Sequence, residues 1–190
     1  MIGIVILNYN SWQDTEECIR SIQDKETRAE YRIYLVDNAS PARPTKEQAA
    51  FLKETGLEFI QSSKNRGYSA GNNLGIQKAL DDGCDAVLIS NSDVRYEKDS
   101  ISALYDYLVQ HPDVGIAGPK IILGNGRIQR ECMMFKTGIR EKYLLRTRLH
   151  MLFPGYNKRY WGRQHDYEKE TFQTYAVMGC CFMMSRACAL

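Results

Sequence analysis

No stretch of the 190-residue chain approaches the roughly 20 consecutive apolar residues of a membrane-spanning helix. The N-terminus, Met1-Ile2-Gly3-Ile4-Val5-Ile6-Leu7, has neither the basic flank nor the small-residue cleavage site of a secretory signal, and reads as a buried first strand. The six cysteines (Cys18, Cys84, Cys132, Cys180, Cys181 and Cys188) contain no C-x-x-C pair. Zinc-ligand spacing is therefore missing, and reduced thiols in a cytoplasmic protein, some of them core filler, are expected. No G-x-G-x-x-G follows the first apolar run, which argues against a nicotinamide dehydrogenase; no P-loop occurs either. The Gly-rich, Arg-containing loop of a sugar nucleotidyltransferase is likewise missing from that position, and there are no repeats or low-complexity tracts.

What is present is ordinary in bulk and uneven in detail. Hydrophobic content of 44% and charged content of 25% suit a globular protein long enough for a substantial core. The net charge of +2 hides a partition. Residues 1–126 hold 13 basic and 18 acidic side chains, residues 127–163 hold 10 and 2, and residues 164–190 hold 2 and 3. A block this basic points to an anionic partner for 127–163.

Strand-like and helix-like segments alternate from the start. The all-apolar run at 2–7 and the largely apolar segments at 31–36, 57–60, 86–90 and 114–117 predict strands. Periodic segments at 45–54, 69–82 and 99–110, and one that Ser11 can cap, predict helices between them. This rhythm predicts an α/β fold, a mostly parallel sheet with helices on both faces. Right-handed crossovers then collect the loops that follow the strands along one edge. Beyond Gly118 the rhythm breaks. Asn125-Gly126 signals a hairpin turn, 139–153 predicts a basic helix, 175–184 predicts a strand, and Ser185-Arg186-Ala187 looks like a helix start.

Four polar clusters fall on that edge: Asn8-Tyr9-Asn10, Asp37-Asn38-Ala39-Ser40, Asn65-Arg66-Gly67 and Asn91-Ser92-Asp93. Open α/β sheets bind ligands at the carboxyl ends of their strands. Each cluster alone has two readings. Asp37-Asn38 can bond a base or ribose, or cap a turn. The glycines at spacing four in 67–75 can admit a ligand close to the backbone and offer a helix N-terminus to an anion, or let a helix pack tightly. Asn91-Ser92-Asp93 can hold a divalent cation against a diphosphate through Asp93, or form a turn.

Taken in order, Leu7-Asn8-Tyr9-Asn10, Val36-Asp37-Asn38-Ala39-Ser40, Asn65-Arg66-Gly67-Tyr68-Ser69-Ala70-Gly71-Asn72-Asn73-Leu74-Gly75 and Ser90-Asn91-Ser92-Asp93-Val94 resemble the nucleotide-sugar-binding half of glycosyltransferase family 2, in its bacterial rhamnosyltransferase-like branch. The resemblance covers roughly residues 1–130 plus Met178-Gly179-Cys180-Cys181. It implies a GT-A-type nucleotide-diphospho-sugar transferase fold, with a donor-binding subdomain at 1–126 and the start of an acceptor-side subdomain at 127–190. It implies a glycosyltransferase that moves a sugar from a nucleotide-diphosphate donor to a glycan or lipid-linked acceptor, inverting and dependent on Mg²⁺ or Mn²⁺, as in cell-wall or polysaccharide biosynthesis. Asn8, Tyr9, Asn10, Asp37 and Asn38 would serve the nucleoside, and Asn65, Gly67 and Asn72 the ribose and diphosphate. Asn91 and Asp93 match the family's D-x-D element, with Asp93 as the metal ligand and Asn91 where the family has an acid. Gly179 would border the acceptor.

The family's general base is a carboxylate after the strand bearing Gly179, expected here beyond Leu190; Asp166, Glu168 and Glu170 precede that strand. The expectation is a chain that binds donor and transfers poorly, with a non-catalytic nucleotide-sugar-binding module as the alternative. The basic 127–163 segment reads either as a membrane-surface site, at the inner face of the membrane, or as a solvated insertion. Tyr156, Tyr160 and Trp161 can stack on a sugar or pack within a loop. With one basic segment and no reader motif, no nucleic-acid partner is expected.

Overall fold

Among the described residues, 1–130 and 132–190 of a computed structural model, six strands form one mixed sheet. They are β1 (Ile2–Asn8), β2 (Tyr31–Asp37), β3 (Glu58–Gln61), β4 (Ala86–Asn91), β5 (Ile116–Ala117) and β6 (Cys181–Ser185), in the order β3-β2-β1-β4-β6-β5. The first four are parallel, whereas β6 runs antiparallel to both β4 and β5. The expected strands at 114–117 and 175–184 shrink accordingly. The place beside β4 is taken by β6, whose Cys181 and Met183 are buried, so Ile116–Ala117 becomes a short outer strand.

The all-apolar β1 follows from burial on both faces. Successive side chains point to opposite sides of a strand. Gly3, Val5 and Leu7 face α3 (Gly67–Asp81), while Asn8 points to α1 (Trp12–Lys25) and bonds Thr15 there. The glycines of α3 are set by this packing. A Cβ on Gly75 would sit 2.5 Å from Val5 Cγ1, and one on Gly71 2.6 Å from Leu7 Cδ1. Of the two readings of that spacing, helix packing accounts for Gly71 and Gly75. Gly67 differs, with φ +79°, as the turn that starts the helix.

Ser11 does not cap α1 with its side chain, because its hydroxyl bonds Asn8 instead. Thr45 does cap α2 (Lys46–Glu54), in a full capping box with Gln48. The cap of α4 (Ser100–Gln110) comes from far away in sequence. Glu26, buried at the end of α1, accepts from the backbone N–H (3.0 Å) and hydroxyl of Ser102 and from the N–H groups of Arg28 and Ala29. Burial opposes the charged form, but these donors outweigh it and hold the Glu26 carboxyl below the ordinary glutamate range. A folded-state pKa below the unfolded one stabilises above that range, and the stabilisation is lost as pH falls through the folded value. Glu26→Ala is therefore expected to cost about 3 kcal/mol in urea melts at neutral pH. The gap from wild type should narrow in acid.

All six cysteines are free thiols. Burial pushes Cys18 and Cys181 up to about 12, so they pack as inert apolar groups.

The chain separates into two compact units, Met1–Gly118 with Cys180–Leu190, and Pro119–Gly179. The division falls after Gly118 and again after Gly179, because the final residues return to the sheet as β6. In the second unit Leu123–Arg127 forms the hairpin turn, with Gly126 at φ +77° and an Ile122–Ile128 bridge. The expected helix over 139–153 is broken. It comprises α5 (Ile139–Arg146) and a 3-10 helix (Arg148–Leu152), separated by extended backbone at Thr147. Next comes α6 (Pro154–Tyr160), whose buried Tyr160 meets Phe135 and Trp161 edge-on, while Phe135 also meets Tyr156. These aromatics pack with one another, the second of their two readings. Among the described residues no helix is long and apolar enough to cross a membrane.

Candidate functional site

Strand register brings the polar clusters together. Asn8 is paired with Asp37, Asp37 with Gln61, and Leu7 with Asn91. Asn8, Asp37, Gln61 and Asn91 thus stand side by side at the carboxyl edge of four parallel strands. The chain proceeds from β1 outward to β2 and β3, then returns to place β4 on the other side of β1. The loops after β1 and β4 diverge at this switch point, which opens a crevice in such sheets.

The centre of the edge is a buried hydrogen-bond hub. Asn8 Nδ2 donates to Asp37 Oδ1 (2.9 Å) and Ser40 Oγ (3.2 Å). Asn8 Oδ1 accepts from the Ser11 N–H (3.2 Å), Ser11 Oγ (3.1 Å) and Thr15 Oγ1 (3.0 Å). The Asp37 carboxylate also takes the Ser40 hydroxyl and N–H and, at 2.8 Å, Gln61 Nε2. Asp37 is 2% exposed and Asn8 fully buried. Both carboxylate oxygens are occupied, so a base reaching Asp37 would have to exchange with one of these donors, and Gln61 is the exposed one. Asn38, also buried, donates to Asn65 Oδ1 (3.0 Å) and accepts from the Arg66 N–H (3.2 Å), binding the turn before α3 to the end of β2.

Other predicted residues face solvent. Tyr9 is 47% exposed, and Asn10, Asn65, Gly67 and Asp93 are exposed, with Asn91 half-buried. Asn10 holds φ +57° while its side chain accepts from the Ala42 N–H and its own N–H bonds Ser40 Oγ. Ala39 is left-handed as well, at φ +61°. Such strain in a non-glycine residue costs about 1–2 kcal/mol and gathers at functional edges. Asn72 is buried and donates to the Tyr68 carbonyl, but its Oδ1 has no partner among the described residues. Gly179 is exposed and belongs to the second unit.

The Asn91-Ser92-Asp93 loop is tied to the end of β1 by a 2.9 Å contact between the Ser11 and Ser92 hydroxyls. Neither the Asn91 side-chain amide nor the Asp93 carboxylate has a hydrogen-bond or ion-pair partner among the described residues. Mg²⁺ and Mn²⁺ favour oxygen ligands and commonly take one or two carboxylates, completing their shell with substrate phosphates and water. One exposed, unpaired carboxylate beside an amide oxygen fits that demand. No group of three or more His, Cys, Asp or Glu among the described residues makes a self-sufficient cage.

Residues 3–188 match the family described as Glycosyl transferase family 2. The chain belongs to that family. Within family 2, a curated relative is the low-salt glycan biosynthesis hexosyltransferase Agl10 of Haloferax volcanii, 32% identical over 126 residues, 66% of this chain and 38% of that protein. Among solved structures, S. aureus TarS 1-349 in complex with UDP-GlcNAc aligns at TM-score 0.58 and 20% identity, covering 72% of this chain and 38% of that one. The mannosyltransferase PcManGT from Pyrobaculum calidifontis, in complex with GDP-Man and Mn²⁺, aligns at TM-score 0.57 and 15% identity over 98% of this chain and 44% of its own. The chain thus spans less than half the length of these proteins. At such identities the two structures establish the shared GT-A fold and no more.

Four residues of the hub escaped sequence reasoning. Thr15 lies inside a predicted helix and Ser11 at its cap position, and Ser92 stands between the two residues that match the D-x-D element, so none of the three signals this role. Gln61 lies one residue past the strand expected at 57–60, because β3 runs on to Gln61 to pair with Asp37. Extending the parallel strands to equal length would have found it.

Proposed function

We propose that the chain binds a nucleotide-diphospho-sugar at the carboxyl edge of β1, β2 and β4, and that it serves transfer of the sugar to a hydroxyl of a glycan or lipid-linked acceptor, with inversion. The observation that carries this reading is the unpaired Asp93 carboxylate beside a pre-built polar hub at the switch point of a family 2 sheet. Tyr9 and Asn10 flank the nucleobase. Asp37, oriented by Asn8, Ser40 and Gln61, accepts from the base after Gln61 yields. Asn65 and Gly67 present the start of α3 to the diphosphate, where N–H groups and the helix dipole favour an anion. Asn72 Oδ1 is an acceptor still to be filled. Asp93 and Asn91 hold a divalent cation, which when bound offsets the charge gathering on the departing nucleoside diphosphate. Gly179 keeps an acceptor-side role. Relatives support the donor class: TarS is described with UDP-GlcNAc and PcManGT with GDP-Man and Mn²⁺.

Thermal-shift titration with UDP-, GDP- and dTDP-sugars, with and without Mn²⁺, tests this. A donor at about 100 times its Kd contributes about 2.7 kcal/mol, or about 5 to 11 °C for a chain of this size. One nucleotide class should produce that shift, larger with Mn²⁺ than with a chelator. A flat response to all three classes would overturn the reading.

A further inference from the structure

The second unit turns apolar side chains to water where its charge is least balanced. Ile139 is 88% exposed, Leu152 70% and Met151 68%, with Tyr143 and Phe153 more than half exposed. Ile139 and Tyr143 stand one turn apart on the same side of α5, and α5 packs on the 3-10 helix that carries Met151 and Leu152. Single exposed apolar residues are ordinary on soluble proteins; four on two packed elements, with Phe153 directly after them, form a patch that calls for a partner. Among them sit Arg140, Lys142, Arg146 and Arg148, none with an ion-pair partner among the described residues. Glu141 is the sole acidic residue in 139–153.

From this juxtaposition we infer that α5 and the 3-10 helix form a peripheral docking surface for an anionic lipid bilayer. The exposed apolar tips enter the headgroup boundary, and the four cations meet lipid phosphates. Burial of apolar area and attraction to anionic lipid add in this mode, and neither needs a spanning helix. A protein partner could cover the apolar tips, but four unpaired cations beside them would then need a matching acidic face. An anionic bilayer offers both chemistries at once. The surface shares no residue with the proposed donor site, so its failure would leave the donor thermal shift standing, and the reverse also holds.

Co-sedimentation of the 190-residue chain with vesicles tests the proposal, using phosphatidylcholine alone or mixed with phosphatidylglycerol. Binding is expected to the mixed vesicles and to weaken as salt rises. Arg146→Ser with Arg148→Ser should lower partition roughly thirtyfold, at the usual contribution of a basic side chain near such a surface. Met151→Ser with Leu152→Ser should also lower it at least tenfold, while both variants keep the wild-type melting curve. Equal binding to neutral and mixed vesicles would overturn the proposal, and so would apolar substitutions without effect. Self-association in the absence of lipid, with no vesicle binding, would assign the patch to a second copy instead.

Discussion

Asn8→Ala is expected to lower the melting temperature by about 6 to 12 °C even without ligand. Asn8 has no exposed surface. Its amide joins the carboxylate of Asp37 to the hydroxyls of Ser11 and Thr15 at the start of α1 and of Ser40 after β2. Alanine removes all of these bonds and leaves Asp37 short of a donor in a site that water reaches poorly. A charged hydrogen bond contributes about 1.5–3 kcal/mol and a neutral one about 1, with penalties for the groups left behind. A net loss of about 3 kcal/mol corresponds to that temperature shift in a chain of this length. Thr15→Val, which deletes one donor, should cost about 1 kcal/mol. The measurement is a thermal melt of each variant without donor. An unchanged melt for Asn8→Ala would mean that the residue serves only the ligand, and the hub would lose its structural role.

Asp93→Asn should behave in the opposite way. Asp93 is exposed and unpaired among the described residues, so its loss should leave the ligand-free melt within about 0.5 kcal/mol of wild type. The donor-induced shift in Mn²⁺ should fall to the value seen with chelator. A loss of about 2 kcal/mol or more of metal-dependent affinity is a rise in donor Kd of roughly thirtyfold. Isothermal titration with the donor that stabilises the wild type, with Mn²⁺ and with chelator, gives both numbers. Retention of the full metal-dependent shift would remove Asp93 from metal binding and shift attention to the Asn91 amide and the start of α3. Together the two substitutions separate what holds the edge from what it holds: one should change stability and the other binding.

The parallel core was legible because its signals are local. A run such as Ile2–Leu7 has no polar position to spare, and only an interior strand covered on both faces uses that pattern. The polar clusters were legible because they recur directly after such runs, and crossover handedness puts those ends on one edge. The antiparallel pairing of β6 and the shortening of β5 were not. β6 joins residues 86–90 to 181–185, and nothing in either segment states which neighbour it will find. The break at Thr147 was hidden for a related reason: 139–153 is helical in composition, and one extended residue divides it.

Within the site, residue types were readable and roles were not. Asn8, Asp37 and Asn38 look like ligand contacts in sequence, yet all three are buried and hydrogen-bonded to other parts of the edge. Gly71 and Gly75 look like ligand-approach glycines, yet the space a Cβ would need is filled by Leu7 and Val5. The sequence by itself determined the α/β rhythm, the family and the edge on which the polar residues gather, because period and order along the chain are enough for these. Tertiary structure alone decided which polar groups spend their hydrogen bonds on the scaffold and which, like Asp93, keep them open. That choice depends on distances between residues 30 and 81 positions apart, and no local pattern encodes them.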